Sequence, residues 1–262
     1  MPQRKKIQPR VVLSIAGYDP SSGAGVTADI KTIAAHRCYG VTCITALTVQ
    51  STRGVARVAP VESGLISETL EHLADDMEIQ AVKIGMLGTA RAVDVVAAFL
   101  QRHTIQNIVL DPIIKSSSGS ELITSEGLQL LKDRLLPLAM IITPNIDEAA
   151  ALTGIRVGTR REMQTAAARL HQLGARNVII TGGHLDLPHD LLSREGLPTA
   201  ILRGKRIRTP STHGTGCAFS TALACELALG KSLLGAARAA KRYVESALRT
   251  APAIGKGTGP LV

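Results

Sequence analysis

Hydrophobic and polar positions along this chain follow two rhythms that replace one another. Short apolar runs that end in turn residues read as buried strands: Val11 to Gly17, Val41 to Gln50, Ala81 to Gly85, Asn107 to Asp111, Met140 to Thr143 and Asn177 to Thr181. Between them lie segments with apolar residues three and four apart, the spacing of a helix with one buried face. The first starts at Gly25 and puts Val26, Ile30, Ile33 and Ala34 on one face. Others cover Val61 to Leu73, Thr89 to Arg102, Ser125 to Leu136, a short stretch opened by Pro144-Asn145-Ile146-Asp147-Glu148, and Thr159 to Leu173. Leu191 to Arg208 has hairpin character, and helices follow from Cys217 to Leu229 and from Leu233 to Leu248. Alternation of this kind predicts a mostly parallel sheet with right-handed crossovers, whose ligands gather outside the C-terminal strand ends. Gly17, Gln50, Met86, Asp111, Asn145 and Gly182 all map to that edge.

The most informative junction is Ser211-Thr-His-Gly-Thr-Gly-Cys217, small polar residues and two glycines feeding an almost uncharged helix. The first N–H groups of a helix lack internal partners and carry the positive end of the peptide dipoles, so such a start binds anions. Gly214 and Gly216 let a phosphate approach the main chain, with Thr215 between them and the Cys217 thiol at the mouth.

Composition narrows the class. The 262 residues are 45% hydrophobic and 2% aromatic, with no Trp, so the core is built from Ala, Val, Ile and Leu, as suits a sheet covered by helices on both faces. We expect a single domain over residues 11–262 behind a flexible basic tail, residues 1–10. The formal charge of +9 invites a nucleic-acid reading. The basic residues are scattered, however, and aromatics for base stacking are nearly absent, so a small anionic substrate fits and nucleic acid is not expected. No apolar stretch approaches the roughly 20 residues of a membrane span. The four cysteines, Cys38, Cys43, Cys217 and Cys225, lack zinc-like spacing, and a reducing cytoplasm is the expected home.

Two familiar motifs are set aside. Gly23-Ala24-Gly25-Val26-Thr27-Ala28 matches the dinucleotide fingerprint, but the loop from Gly17 is too long for its tight turn and no acidic residue ends the next strand. Gly230-Lys231-Ser232 lacks the earlier glycine of a phosphate loop and follows a helix. An anion-binding helix start, two acidic residues near strand ends and a polar pocket on the same edge together describe phosphoryl transfer from a magnesium nucleotide. Asp111 and Glu148 supply hard oxygen ligands for Mg2+, mostly through water, and Gly214 to Cys217 hold the transferring phosphoryl oxygens. Asp29 sits at the margin of its helix's buried stripe, where a carboxylate needs a partner: an ion-pair or capping role and a ligand-holding role both fit.

The motifs taken together resemble a known family. Ala16-Gly17-Tyr18-Asp19-Pro20-Ser21-Ser22-Gly23-Ala24-Gly25, the Ile44-Thr45-Ala46-Leu47 to Gln50 strand, Lys83-Ile84-Gly85-Met86-Leu87, Ile142-Thr143-Pro144-Asn145 with Glu148-Ala149, Gly182-Gly183-His184 and His213-Gly214-Thr215-Gly216-Cys217 occur in the order found in the hydroxymethylpyrimidine/phosphomethylpyrimidine kinases of the ribokinase-like superfamily. The resemblance implies an α/β fold, a three-layer α/β/α sandwich with a mostly parallel central sheet. It implies an enzyme that moves the ATP γ-phosphate to 4-amino-5-hydroxymethyl-2-methylpyrimidine and then to the monophosphate, and it is compatible with a homodimer. By position, Asp29 and Gln50 hold the pyrimidine, Gly17 and Met86 line its pocket, and Asn145, Thr181, Gly182 and Lys115 serve the nucleotide. Cys217 stands where most ribokinase relatives carry a catalytic Asp; a thiol depressed by the helix terminus would act as base, and an anion hole is the other role open to it. The chain departs from the family at Thr181 and Ser117, where lysines are common, and Lys115 is placed to compensate for the second. A pyridoxal or pyridoxine kinase and a non-catalytic pyrimidine-binding protein are the alternative functions.

Overall fold

A computed structural model describes residues 8–116, 119–183, 185 and 187–261. Two positions singled out above, Ser117 and His184, lie outside the described residues, as do residues 1–7 of the basic tail.

The described strands are β1 Val11–Tyr18, β2 Tyr39–Ser51, β3 Gly54–Pro60, β4 Ile79–Ile84, β5 Asn107–Leu110, β6 Ile141–Ile142, β7 Asn177–Ile180, β8 Asp190–Arg194 and β9 Leu197–Leu202. They form one nine-stranded sheet of order β3-β2-β1-β4-β5-β6-β7-β8-β9. Strands β2, β1, β4, β5, β6 and β7 run parallel, while β3 at one edge and the β8–β9 hairpin at the other pair antiparallel. The helices are α1 Gly25–Ala35, α2 Ser63–Asp76, α3 Ala90–Arg102, α4 Ser125–Leu130, α5 Ile146–Thr153, α6 Arg160–Gln172, α7 Thr215–Ala228 and α8 Leu233–Thr250.

Two cores follow from the period of two along each strand. Leu13, Val82, Leu110 and Val178 face one side and pack on α2, α3, α5 and α6. Their neighbours Val12, Ala81, Val109 and Ile179 face the other and pack on α1, α7 and α8. This is the expected three-layer sandwich. It carries the C-terminal ends of the parallel strands to a common rim.

Three local expectations are corrected. The run expected as one helix from Ser125 to Leu136 is α-helical only to Leu130 and continues as a π-turn over Leu131–Leu135. Strand β3 lies in a segment not expected to be a strand; its Arg57 and Ala59 are exposed, so it shows no buried alternation and is held by backbone pairing to β2. Helix α1 is rotated from its expected face: Ile30 and Ala34 are exposed, while Val26, Ala28, Asp29, Thr32 and Ile33 are buried. The rotation puts the Asp29 carboxylate inside the protein, where Thr221 of α7 donates a hydrogen bond to it at 2.7 Å.

Candidate active site

A cavity of about 760 Å³ opens at the strand ends, walled by the β1–α1 loop, the end of β2, the segments after β4, β5 and β6, and the start of α7. Its existence depends on glycine. Gly25 has φ +59°, and a Cβ there would lie 2.1 Å from the Gly17 carbonyl oxygen; Gly214 has φ +82°, and its Cβ would lie 1.8 Å from that of Gly23. The β1–α1 loop and the loop before α7 therefore touch backbone to backbone, which only glycine permits. Among the described residues no side chain caps α7, and a Cβ on Gly216 would meet nothing within 4 Å, so the helix start faces open space, as anion binding requires.

Most residues proposed from the sequence stand on this wall: Gly17, Gln50 and Met86, with Ala16 and Thr48, and Lys115, Asn145, Glu148, Gly214, Thr215, Gly216 and Cys217. Thr181 and Gly182 do not. Thr181 donates its N–H to the Pro144 carbonyl and Gly182 its N–H to Asp190, and a Cβ on Gly182 would sit 2.1 Å from the His189 carbonyl oxygen. They pack the strand edge beside Asn145 instead.

Asp29 is also absent from the wall. It is fully buried, with Lys83 Nζ at 3.0 and 3.2 Å from its two oxygens, and it accepts hydrogen bonds from Ser14 at 2.5 Å and Thr221 at 2.7 Å. Of the two roles left open, the ion pair is the one these contacts satisfy: Lys83, Ser14 and Thr221 already occupy both carboxylate oxygens of Asp29. Its partner was missed. Lys83 is fully buried in β4 and reaches the cavity. Burial alone would lower its pKa, but Asp29, Cys217 and Asp111 outweigh that and hold the ammonium above the ordinary lysine range. A lysine inside the apolar run Ile79 to Ile84 was the available signal.

The expected direction for Cys217 is reversed. Burial pushes its thiol up to about 12, with Asp111 and Asp29 adding to the rise and Lys83 offsetting part of it. A helix terminus lowers a thiol pKa only where the site stays hydrated enough to carry the charge. The resting group is a thiol.

Glu148 caps its own helix: its carboxylate accepts the Asn145 N–H at 2.9 Å while Asn145 accepts from Asp147 and Glu148, closing a capping box. Burial, then repulsion from Asp111, pushes Glu148 up to about 8. Asp111 is nearly buried behind the wall, takes a hydrogen bond from Ser220 at 2.8 Å, and is itself raised by burial. Two mutually repelling, desolvated carboxylates are a donor set that a hard divalent cation relieves. Among the described residues no group of three or more His, Cys, Asp or Glu could hold a metal. A magnesium ion here would therefore take at most these two carboxylates, and otherwise water and phosphate oxygens, as its chemistry favours.

Asp19 and His213 complete the rim, and neither was assigned from the sequence. Asp19 accepts N–H bonds from Ser21, Gly23 and Ala24 and a bond from His213 Nε2 at 2.8 Å. Burial raises its pKa, but the bonds from His213 and Ser21 outweigh it and the carboxyl sits below its usual range. Gln50 Nε2 lies 3.1 Å from the same His213 nitrogen.

The sequence profile of phosphomethylpyrimidine kinase matches residues 19–262. The chain belongs to the phosphomethylpyrimidine kinase family. Within it, the hydroxymethylpyrimidine/phosphomethylpyrimidine kinase of Haemophilus influenzae is 41% identical over 95% of this chain and 94% of its own. The thiamine biosynthesis bifunctional protein ThiED of Geobacter sulfurreducens is 41% identical over 95% of this chain, which spans 51% of that protein. Among solved structures, pyridoxal kinase of Bacillus subtilis in complex with ADP superposes with a TM-score of 0.88 at 34% identity, covering 97% of this chain and 96% of its own. Phosphomethylpyrimidine kinase of Clostridium difficile gives 0.81 at 34% identity, covering 91% and 99%. Among the described residues, no helix of this family member is long and apolar enough to cross a membrane.

Proposed function

We propose that this family member is an ATP-dependent kinase that phosphorylates 4-amino-5-hydroxymethyl-2-methylpyrimidine and then its monophosphate. The observation that carries the reading is the continuity of one cavity, from a polar and apolar recess at Gln50, Gly17 and Met86 to an uncapped helix start at Thr215 to Cys217. An aromatic ring with one reactive hydroxymethyl arm fits the first end, and phosphates fit the second. The hydroxymethyl oxygen attacks the γ-phosphorus in line as the bond to the ADP oxygen breaks. In a loose transition state the enzyme mainly positions the reactants and neutralises charge. The N–H groups at the start of α7 and the Lys83 ammonium supply positive charge from the protein. Magnesium, held by Glu148 and Asp111, would neutralise phosphate charge. A thiol with a pKa of about 12 already holds its proton, so Cys217 serves as part of the anion hole and the hydroxyl proton leaves late, to a phosphate oxygen or water.

A second reading, phosphorylation of pyridoxal, is favoured by the TM-score of 0.88 to pyridoxal kinase of Staphylococcus aureus in complex with pyridoxal. A coupled ADP-release assay with hydroxymethylpyrimidine, its monophosphate and pyridoxal separates the two. Turnover of both pyrimidines is expected; turnover of pyridoxal alone would replace the first reading with the second.

A further inference from the structure

We propose that His213, locked by Asp19, sets which way the Gln50 amide faces and thereby selects an aminopyrimidine over a pyridine-type substrate. This rests on the pyrimidine kinase reading above. The argument is a count of donors and acceptors. The Asp19 carboxyl, held below its usual range, is an acceptor, and at 2.8 Å it requires a proton on His213 Nε2. That nitrogen cannot then accept a bond from an amide NH2, yet the Gln50 nitrogen lies 3.1 Å away from it. Two donors face each other.

Turning the amide over about its last side-chain bond removes the conflict, because amide oxygen and nitrogen are distinguished only by their partners. Oε1 then accepts from His213 N–H alongside Asp19. The NH2 group takes the place of the oxygen now 3.2 Å from Thr48 Oγ1. Thr48 spends its own proton on the Tyr18 carbonyl at 2.9 Å, so its oxygen is ready to accept. With that single orientation every group in the chain Asp19–His213–Gln50–Thr48–Tyr18 has a matching partner.

His213 is itself anchored through its backbone, donating N–H to Gly259 at 3.0 Å and accepting from Leu261 at 3.1 Å, which fixes the point from which the ring reaches Asp19. The remaining amide N–H and carbonyl lone pair of Gln50 form an ordered donor–acceptor edge on the cavity wall. The edge of 4-aminopyrimidine, an amino group beside a ring nitrogen, complements such an amide in one orientation and sets donor against donor in the other. The ring of pyridoxal carries no amino group beside a ring nitrogen and gains nothing from the order. His213 is thus a positioning residue for the family reaction.

The test compares kcat/KM for hydroxymethylpyrimidine and for pyridoxal, or the inhibition constant of pyridoxal where it is not turned over, in wild type, His213→Phe, His213→Gln and Thr48→Val. His213→Phe keeps a ring but removes the N–H and should lower the pyrimidine-to-pyridoxal ratio about tenfold, through KM for the pyrimidine, with KM for ATP nearly unchanged. His213→Gln returns an N–H near the same place and should recover most of the ratio. Thr48→Val, nearly isosteric, removes the other anchor and should lower the ratio in the same direction, and it decides the matter alone if His213→Phe does not fold. An unchanged ratio in Thr48→Val, or equal losses on both substrates in His213→Phe without recovery in His213→Gln, overturns the inference while leaving the kinase reading intact. A wild type that turns over no pyrimidine overturns both.

Discussion

Replacing Asp29 by Asn separates a structural ion pair from a ligand-binding carboxylate. In the folded protein the Asp29 and Lys83 side chains have 0% exposure and lie 3.0 Å apart. Asn keeps the shape and can accept from one of Ser14 and Thr221 while its NH2 donates to the other hydroxyl, which turns to accept, so little packing is lost. The cost is electrostatic: a buried ammonium loses its counter-charge, a change typically worth about 3 to 5 kcal/mol. Against a typical domain stability of about 5 to 15 kcal/mol, that is a large fraction. Urea denaturation followed by circular dichroism should give a lower midpoint with an unchanged slope. The double variant Asp29→Asn/Lys83→Met should lose less than the sum of the single changes, because the unpaired charge is gone.

The pH dependence has a definite sign. Lys83 is raised above its unfolded value of 10.5, so its contribution is fully present below that pH and is lost as pH rises through the folded value. Stability of wild type should therefore fall toward Asp29→Asn only in strong alkali. A variant within about 1 kcal/mol of wild type, with a raised KM for the pyrimidine, would refute this account and return Asp29 to the substrate.

Other expectations follow from the same site. Cys217→Ser should keep most turnover because the backbone N–H survives, and iodoacetamide at pH 8 followed by peptide mapping should leave Cys217 unmodified in the ligand-free protein; rapid alkylation there would mean the thiolate exists and revive the base role. Asp111→Asn and Glu148→Gln should each lower kcat by about tenfold or more while shifting pyrimidine KM little; wild-type turnover across a magnesium titration would remove that residue from the phosphate side.

The layers and the functional edge were legible because they rest on local pattern. Val12 and Leu13 alternate between cores, and Gly17, Gln50 and Met86, each within two residues of the C-terminal end of its strand, reach the rim by topology alone. The start of α7 was legible from Gly214 and Gly216. Contacts across the chain were not. Asp29 meets Lys83 across 54 residues and Thr221 across 192, and Asp19 meets His213 across 194, so no spacing in the sequence announces either cluster. Helical periodicity put Asp29 at a margin, and only the packing of α1 on α7 turned it fully inward. Cys217 was misjudged for a related reason: a helix terminus is visible in sequence, whereas the desolvation that outweighs it belongs to the tertiary structure. Strand β3 escaped because Arg57 and Ala59 face water and its pairing uses backbone alone.

The two ends of the cavity rest on unequal foundations. In α7 every residue from Cys217 to Ala228 is buried between the sheet, α1 and α8, so the hydrogen-bonded amides of the helix body behind the phosphate end exchange with solvent only when the whole fold opens. Gln50 stands on the far part of β2, where pairing to β1 has ended at Leu47 and only β3 remains alongside. A two-stranded ribbon of this kind is marginal by itself. The residue that reads the ring thus sits on the part of the sheet that frays first, and hydrogen exchange there would tighten on filling the pocket while the buried body of α7 stayed silent.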